Sequence, residues 1–324
     1  MRRVLFGLVM VCFGGVAGAQ SSGWPVAAGH AVVTLWPKGA PGANTTTGPG
    51  ANTTTGPGAN TTTGPEADTS TAADKQIAGK AVVRLGNVSA PTLTLFEPKG
   101  GSSGAAVVVF PGGGYHILAM DLEGTEVCDW LTSRGVTCVL LKYRVPETGP
   151  YPKSDEALQD AQRAVGLVRA HATEWKIDPK RVGVLGFSAG GHLAAALSTH
   201  FTARLYPKVD AADDLSCRPD FAVVLYPGYL VLAEKGMMFN PDIPVTKETP
   251  PTFLLQAEDD DTAHVENATA YFLALKNAGV PTELHIYAEG GHGYGLRRTK
   301  LPVTGWPDLV DVWMKTIGVS PSAR

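Results

Sequence analysis

The chain has 324 residues, 44% hydrophobic and 18% charged, with a formal net charge of −3. That profile excludes a disordered chain and a multi-span membrane protein, and the lack of a long basic run argues against nucleic acid or an anionic membrane surface as partners. The 38 glycines and 24 prolines exceed the usual share, which signals either low complexity or backbone turns that functional loops require.

Arg2 and Arg3 precede an apolar run from Val4 to Val16 and then Ala17-Gly18-Ala19. A basic start, an apolar stretch and a small-residue site describe a secretory signal peptide cut after Ala19. The run is short for a spanning helix, so the sequence predicts export to the periplasm or medium, with no membrane association after cleavage. Cys12 leaves with the signal, and Cys128, Cys138 and Cys217 remain. At most one disulfide can form among three thiols. A bridge between Cys128 and Cys138 is allowed, but buried thiols acting as small apolar residues are the simpler expectation. No C-x-x-C or H-E-x-x-H string is present, so neither a metal nor a cofactor is expected.

The octet P-G-A-N-T-T-T-G at 41–48 recurs at 49–56 and 57–64, with a decayed copy at 65–72. Without large apolar side chains these repeats cannot offset chain entropy, and the period is too short for a solenoid. They read as a flexible spacer, in which Asn44, Asn52 and Asn60 fit the N-glycosylation acceptor pattern. The expected organisation is a signal over 1–19, a flexible extension over 20–78 and one catalytic domain over 79–324.

From about residue 79 strands and helices alternate. Short β-rich runs occupy 81–85, 92–96, 106–110, 136–142, 182–186, 221–226, 252–257 and 283–287. Helical patterns occupy 122–133, 154–174, 189–200, 265–278 and 307–317; in the second, Ala157, Ala161, Val165, Val168 and Ala172 lie on one face. Apolar strands followed by helices predict an α/β fold with a mostly parallel sheet covered on both faces. The strands at 81–96 precede any helix and are expected at an antiparallel edge.

Candidate chemistry concentrates at strand ends. Val182–Leu185 runs into Gly186-Phe187-Ser188-Ala189-Gly190 and then a helical pattern, the strand–turn–helix setting of a G-x-S-x-G nucleophile. A serine hydroxyl needs a base, itself oriented by an acid, in the chain order Ser, acid, His. His292 follows the last strand in Gly290-Gly291-His292-Gly293 and is the candidate base. The acid lies in Glu258-Asp259-Asp260-Asp261, with Asp260 favoured and Asp259 and Asp261 kept open. Amides to stabilise an oxyanion are expected from Ala189 and from Pro111-Gly112-Gly113-Gly114-Tyr115, a loop that follows an early strand. A phosphate loop is disfavoured, because no Gly-Lys-Ser/Thr ending follows. Tyr115, His116 and Trp306 are candidate pocket residues, with ordinary packing an equal expectation for each.

Taken with Leu35-Trp36-Pro37, Gly39-Ala40-Pro41-Gly42, Glu123-Gly124, Lys142-Tyr143-Arg144 and Gly-Phe-Ser-Ala-Gly-Gly-His at 186–192, these motifs resemble the bacterial α/β-hydrolases of the acetyl esterase and acetylxylan esterase type. The likeness runs from about residue 33 to 318, leaving out the octets. It implies an eight-stranded sheet and a carboxylic-ester hydrolase often directed at acetylated plant polysaccharides. The family's D-x-V-V-P pattern also points to Asp260, although Thr262-Ala263-His264 departs from it. By the same resemblance Gly113 and Gly114 are the loop donors. The sequence thus predicts an exported serine esterase that removes short acyl groups from small or polymeric carbohydrate esters. A serine exopeptidase, a general short-chain carboxylesterase and a carbohydrate-binding protein with a vestigial site are the alternatives. Only one strand and a modest loop separate the helix at 189–200 from the strand at 252–257, so no large lid is expected.

Overall fold

The structure is a computed structural model that describes residues 29–42, 64–147 and 154–320. The predicted signal peptide and the repeat asparagines Asn44, Asn52 and Asn60 lie outside the described residues.

Eight strands form one sheet: β1 (Val32–Thr34), β2 (Thr92–Phe96), β3 (Ala106–Phe110), β4 (Thr137–Lys142), β5 (Val182–Phe187), β6 (Ala222–Leu225), β7 (Thr252–Ala257) and β8 (Thr282–Tyr287). Their spatial order is β1-β2-β4-β3-β5-β6-β7-β8. The β1–β2 and β2–β4 pairs are antiparallel and the rest are parallel. The central strands β3 and β5 are buried along their whole length, which explains why they read as unbroken apolar runs.

Among the described residues five α-helices accompany the sheet: α1 (Glu126–Ser133), α2 (Asp155–Ala170), α3 (Ala189–Leu197), α4 (Glu266–Asn277) and α5 (Trp306–Thr316). They lie on both faces, and two consecutive residues of β5 show it. A Cβ at Gly186 would point at the Gly190 carbonyl of α3, whereas the Phe187 ring packs against Trp306 of α5. Alternation along a strand sends such neighbours to opposite faces. On the α5 side, Trp130 of α1 meets Trp306 edge-on.

The structure corrects three sequence expectations. Arg84–Gly86 is not at the edge of the large sheet; it pairs with Ala67–Asp68 and Ile117–Ala119 in a separate three-stranded sheet. The edge position belongs to Val32–Thr34, inside the segment read as a flexible extension. That segment is anchored on both sides of the octets. Trp36 is buried and donates to Asp160 at 2.7 Å, Arg163 donates to the Leu35 carbonyl, and Arg144 donates to the Pro41 carbonyl. In the decayed copy after the three octets, Glu66 forms a largely buried ion pair with Lys142 at 2.7 Å. The folded unit therefore includes parts of 29–78, because contacts with residues far along the chain order segments that carry no strong local pattern.

The third correction concerns the thiols. Cys128 of α1 and Cys138 of β4 form a disulfide with Cα atoms 5.1 Å apart, and the remaining cysteine among the described residues, Cys217, is free and buried. The tight turn through Gly135, at φ 75°, folds α1 back onto β4 and brings the two sulfurs together.

No helix among the described residues is long and apolar enough to cross a membrane. Between β6 and β7 the chain carries only a small hairpin, Val231–Leu232 with Met238–Phe239, and no large lid.

Candidate active site

Strand β5 runs into Ser188, whose backbone sits at φ 52° and ψ −117°, and α3 begins at the next residue. A non-glycine residue at positive φ is strained, and such strain persists only where the surroundings enforce it. Here the Ser188 amide donates to the Leu225 carbonyl, while its own carbonyl accepts from His192 and Gly228. The flanking glycines are steric necessities. A Cβ at 186 would lie 2.0 Å from the Gly190 carbonyl oxygen, and one at 190 would lie 2.1 Å from the Phe110 carbonyl oxygen.

His292 stands on the loop after β8, with its Nε2 2.8 Å from Ser188 Oγ and its Nδ1 2.7 Å from Asp260 Oδ2. A carboxylate can only accept, so Nδ1 carries the proton and Nε2 is left to accept the serine hydroxyl. The Asp260 side chain is fully buried and its other oxygen accepts from the Thr262 and Ala263 amides at 3.0 and 2.8 Å. The neighbouring carboxylates are placed differently. Asp259 is exposed and accepts from the Gly291 amide at 2.7 Å, while Asp261 is exposed and accepts only from the adjacent Thr262 hydroxyl at 3.3 Å. His264 is also exposed.

The glycine loop after β3 lies against the serine: a Cβ at Gly112 would be 2.9 Å from Ser188 Cβ. The Gly112 amide donates to Glu123 Oε2 at 2.7 Å. The next two residues carry the turn, Gly113 at φ 134° and Gly114 at φ 63°, and their amides take no part in the backbone hydrogen bonds of the described loops. The Ala189 amide is the first of α3, where helical amides lack an internal acceptor and the helix dipole is positive.

The candidate pocket residues separate. Tyr115 and Trp306 are fully buried and serve packing instead: the Tyr115 hydroxyl is 2.7 Å from His192 Nδ1, and Trp306 donates to the Gly295 carbonyl. His116 is exposed on the glycine loop. Sequence reasoning missed four residues that support the site. His192 is buried one helical turn after Ser188, and burial pushes its pKa down to about 4. Tyr229 stacks on Tyr115 and meets His192 edge-on. Glu123 and Tyr226 are joined by a 2.7 Å hydrogen bond. Glu123 and His192 each stand inside a motif quoted above, but nothing local marked them as buried polar groups. No cluster of three or more His, Cys, Asp or Glu arranged to hold a metal occurs among the described residues.

A family model described as BD-FAE matches residues 93–224. The acetylxylan esterase of Xylanibacter ruminicola is 32% identical over 244 residues, covering 68% of this chain and 47% of that protein. Endo-1,4-beta-xylanase B of Butyrivibrio fibrisolvens is 29% identical over 217 residues, covering 62% of this chain and 34% of that protein. The chain thus spans about half or less of the length of these curated relatives. Among solved structures, the acetyl ester-xyloside bifunctional hydrolase from Caldicellulosiruptor lactoaceticus superposes with a TM-score of 0.64 at 39% identity, covering 72% of this chain and 90% of that one. Identity of 39% across 90% of a solved enzyme means that the chain belongs to the α/β-hydrolases of the acetyl esterase and acetylxylan esterase type, a family of carboxylic-ester hydrolases.

Proposed function

We propose that the protein is an exported serine esterase that removes short acyl groups, chiefly acetyl, from carbohydrate esters through an acyl-enzyme. The observation that carries this reading is the unbroken hydrogen-bond chain from Ser188 through His292 to Asp260. Ser188 Oγ attacks the ester carbonyl while His292 Nε2 takes its proton. Asp260 holds the imidazole tautomer and stabilises the imidazolium. The tetrahedral oxyanion is received by the amides of Ala189, Gly113 and Gly114; Gly112 is not a donor, because Glu123 already holds its amide. His292 then protonates the leaving alcohol, and water resolves the acyl-enzyme by the reverse path.

Acetylated sugars as substrates are supported by the relatives, an acetylxylan esterase and an acetyl ester-xyloside bifunctional hydrolase. They are also consistent with the small connection between β6 and β7, which carries no large lid. Export is supported by the N-terminal sequence and by the Cys128–Cys138 bridge, since disulfides persist in oxidising compartments.

The decisive experiment compares wild type and Ser188→Ala on p-nitrophenyl acetate, then measures acetate release from acetylated xylan, other acetylated glycans and aryl esters, with peptide anilides alongside. Wild-type turnover by Ser188→Ala would sink the nucleophile assignment. Preference for peptide anilides would replace the esterase reading with an exopeptidase. A mature N-terminus at Gln20 in exported protein checks the address.

A further inference from the structure

Glu123 is a buried carboxyl that the acyl-transfer scheme does not use. It lies in the short π-helical turn Asp121–Thr125 that leads into α1, and each of its oxygens has one partner. Oε2 accepts from the Gly112 amide at 2.7 Å, and Oε1 accepts from the Tyr226 hydroxyl at 2.7 Å. The Tyr226 oxygen in turn accepts from the Gly295 amide at 3.1 Å. The Tyr226 ring also meets the His292 imidazole edge-on, with centroids 5.1 Å apart.

This chain joins two loops that arrive at the site from different strands. Gly112 immediately precedes the Gly113-Gly114 amides and lies against Ser188 Cβ. Gly295 stands three residues after His292 on the other loop. Resting on the serine-esterase reading above, we propose that Glu123 is a positioning residue that, through Tyr226, locks the oxyanion loop and the histidine loop into one geometry.

A count of protons supports the assignment. Three donors, the Gly112 N–H, the Tyr226 O–H and the Gly295 N–H, meet three acceptors, the two carboxylate oxygens and the phenol oxygen. A protonated carboxyl would bring a fourth hydrogen, which could reach only the phenol oxygen and would leave the tyrosine's own O–H without an acceptor. The network is complete with an ionised Glu123. Burial, the largest effect, holds the carboxyl above its usual range, while the Tyr226 hydroxyl, the Gly112 amide and the positive charge of Arg84 pull the other way. Tyr226 is held protonated, and so able to donate, by its burial and by the adjacent carboxylate. The Tyr143 and Tyr294 phenols also feel the Glu123 charge, which helps to keep them protonated.

Two near-isosteric variants test the link in the full-length enzyme with p-nitrophenyl acetate as the probe. Glu123→Gln keeps the shape but adds two N–H hydrogens, and Tyr226→Phe removes only the bridging hydroxyl. Active sites are counted by exhaustive labelling with a fluorophosphonate, so that kcat refers to folded, competent enzyme. Each variant is expected to lower kcat by about 10²-fold with KM little changed, the size of effect that follows misplacement of reacting groups. The double variant is expected to be no worse than the more damaged single, because both break one connection. A residue that only supports the fold would lower the melting temperature and the number of labelled sites and leave kcat per site intact. If Glu123→Gln does not fold, Tyr226→Phe decides alone. Singles whose kcat per site stays within about twofold of wild type, or whose losses multiply in the double, overturn the proposal. If Ser188→Ala is inactive while both variants turn over normally, only this proposal fails; if Ser188→Ala is active, the nucleophile reading fails first.

Discussion

Asp259 and Asp260 are chain neighbours whose carboxylates grip the same loop at adjacent residues: Asp260 Oδ2 lies 2.7 Å from His292 Nδ1, and Asp259 Oδ1 accepts from the Gly291 amide at 2.7 Å. The buried member faces the ring and the exposed member ties the backbone that carries it. This division predicts unequal consequences. Asp260→Asn presents an amide that can donate to Nδ1 and so select the wrong tautomer, and kcat is expected to fall by about 10⁴-fold. Asp259→Ala removes one exposed hydrogen bond worth about 1 kcal/mol, and kcat is expected to stay within about tenfold of wild type. Steady-state kinetics of the two variants on p-nitrophenyl acetate check the assignment, and a reversed ranking would exchange their roles.

Two glycines near the site are expected to respond differently to alanine. At Gly190 a Cβ would lie 2.1 Å from the Phe110 carbonyl oxygen, so backbone must move. Gly190→Ala should lose about 3 kcal/mol or more of stability. Gly291 has φ 59° but nothing within 4 Å of the added atom, so Gly291→Ala should cost only the left-handed backbone penalty, about 1–2 kcal/mol. Urea unfolding of both proteins gives the comparison, and equal losses would contradict it.

His192 makes the protein acid-sensitive in a defined window. Burial, with a smaller contribution from His200, pushes its pKa down to about 4. Above the unfolded value of about 6.5 the imidazole is neutral in both states and contributes nothing to the pH dependence. As pH falls from about 6.5 towards 4, the unfolded chain takes up a proton that the folded chain refuses, so stability drops by about 3 kcal/mol. In His192→Asn that component is absent. The unfolding free energy of wild type should therefore fall more steeply than that of the variant between these limits. Parallel curves would show that His192 titrates normally.

The Cys128–Cys138 bridge closes a short loop, with a sequence separation of 10. Chain-entropy arguments assign such a closure about 2–3 kcal/mol. Replacing both cysteines with serine should lower unfolding stability by that amount, and a reductant should produce a comparable loss in wild type but not in the variant. A wild type insensitive to reductant under denaturing conditions would argue that the thiols are not bridged.

Much of the site was legible in the sequence because its chemistry follows local rules. Ser188 was marked by the glycines that its turn requires, and His292 by a glycine-rich segment after the last strand. The alternation of apolar strands and amphipathic helices indicated the α/β class, since period-2 and period-3.6 patterns report burial on one or two faces. Local patterns left three carboxylates at 259–261 open, and only folding separated them, by burying Asp260 and exposing its neighbours.

What the sequence by itself determined is thus the class of fold, the candidate nucleophile and base, and the loops proposed to supply oxyanion donors. The tertiary structure alone decided that Val32–Thr34 is the edge strand, that Cys128 meets Cys138, and that Glu123 joins Gly112 to Tyr226. Those pairings are made between residues up to about a hundred positions apart. No backbone propensity or short spacing encodes them; they arise when the sheet closes and burial forces each polar group to find a partner.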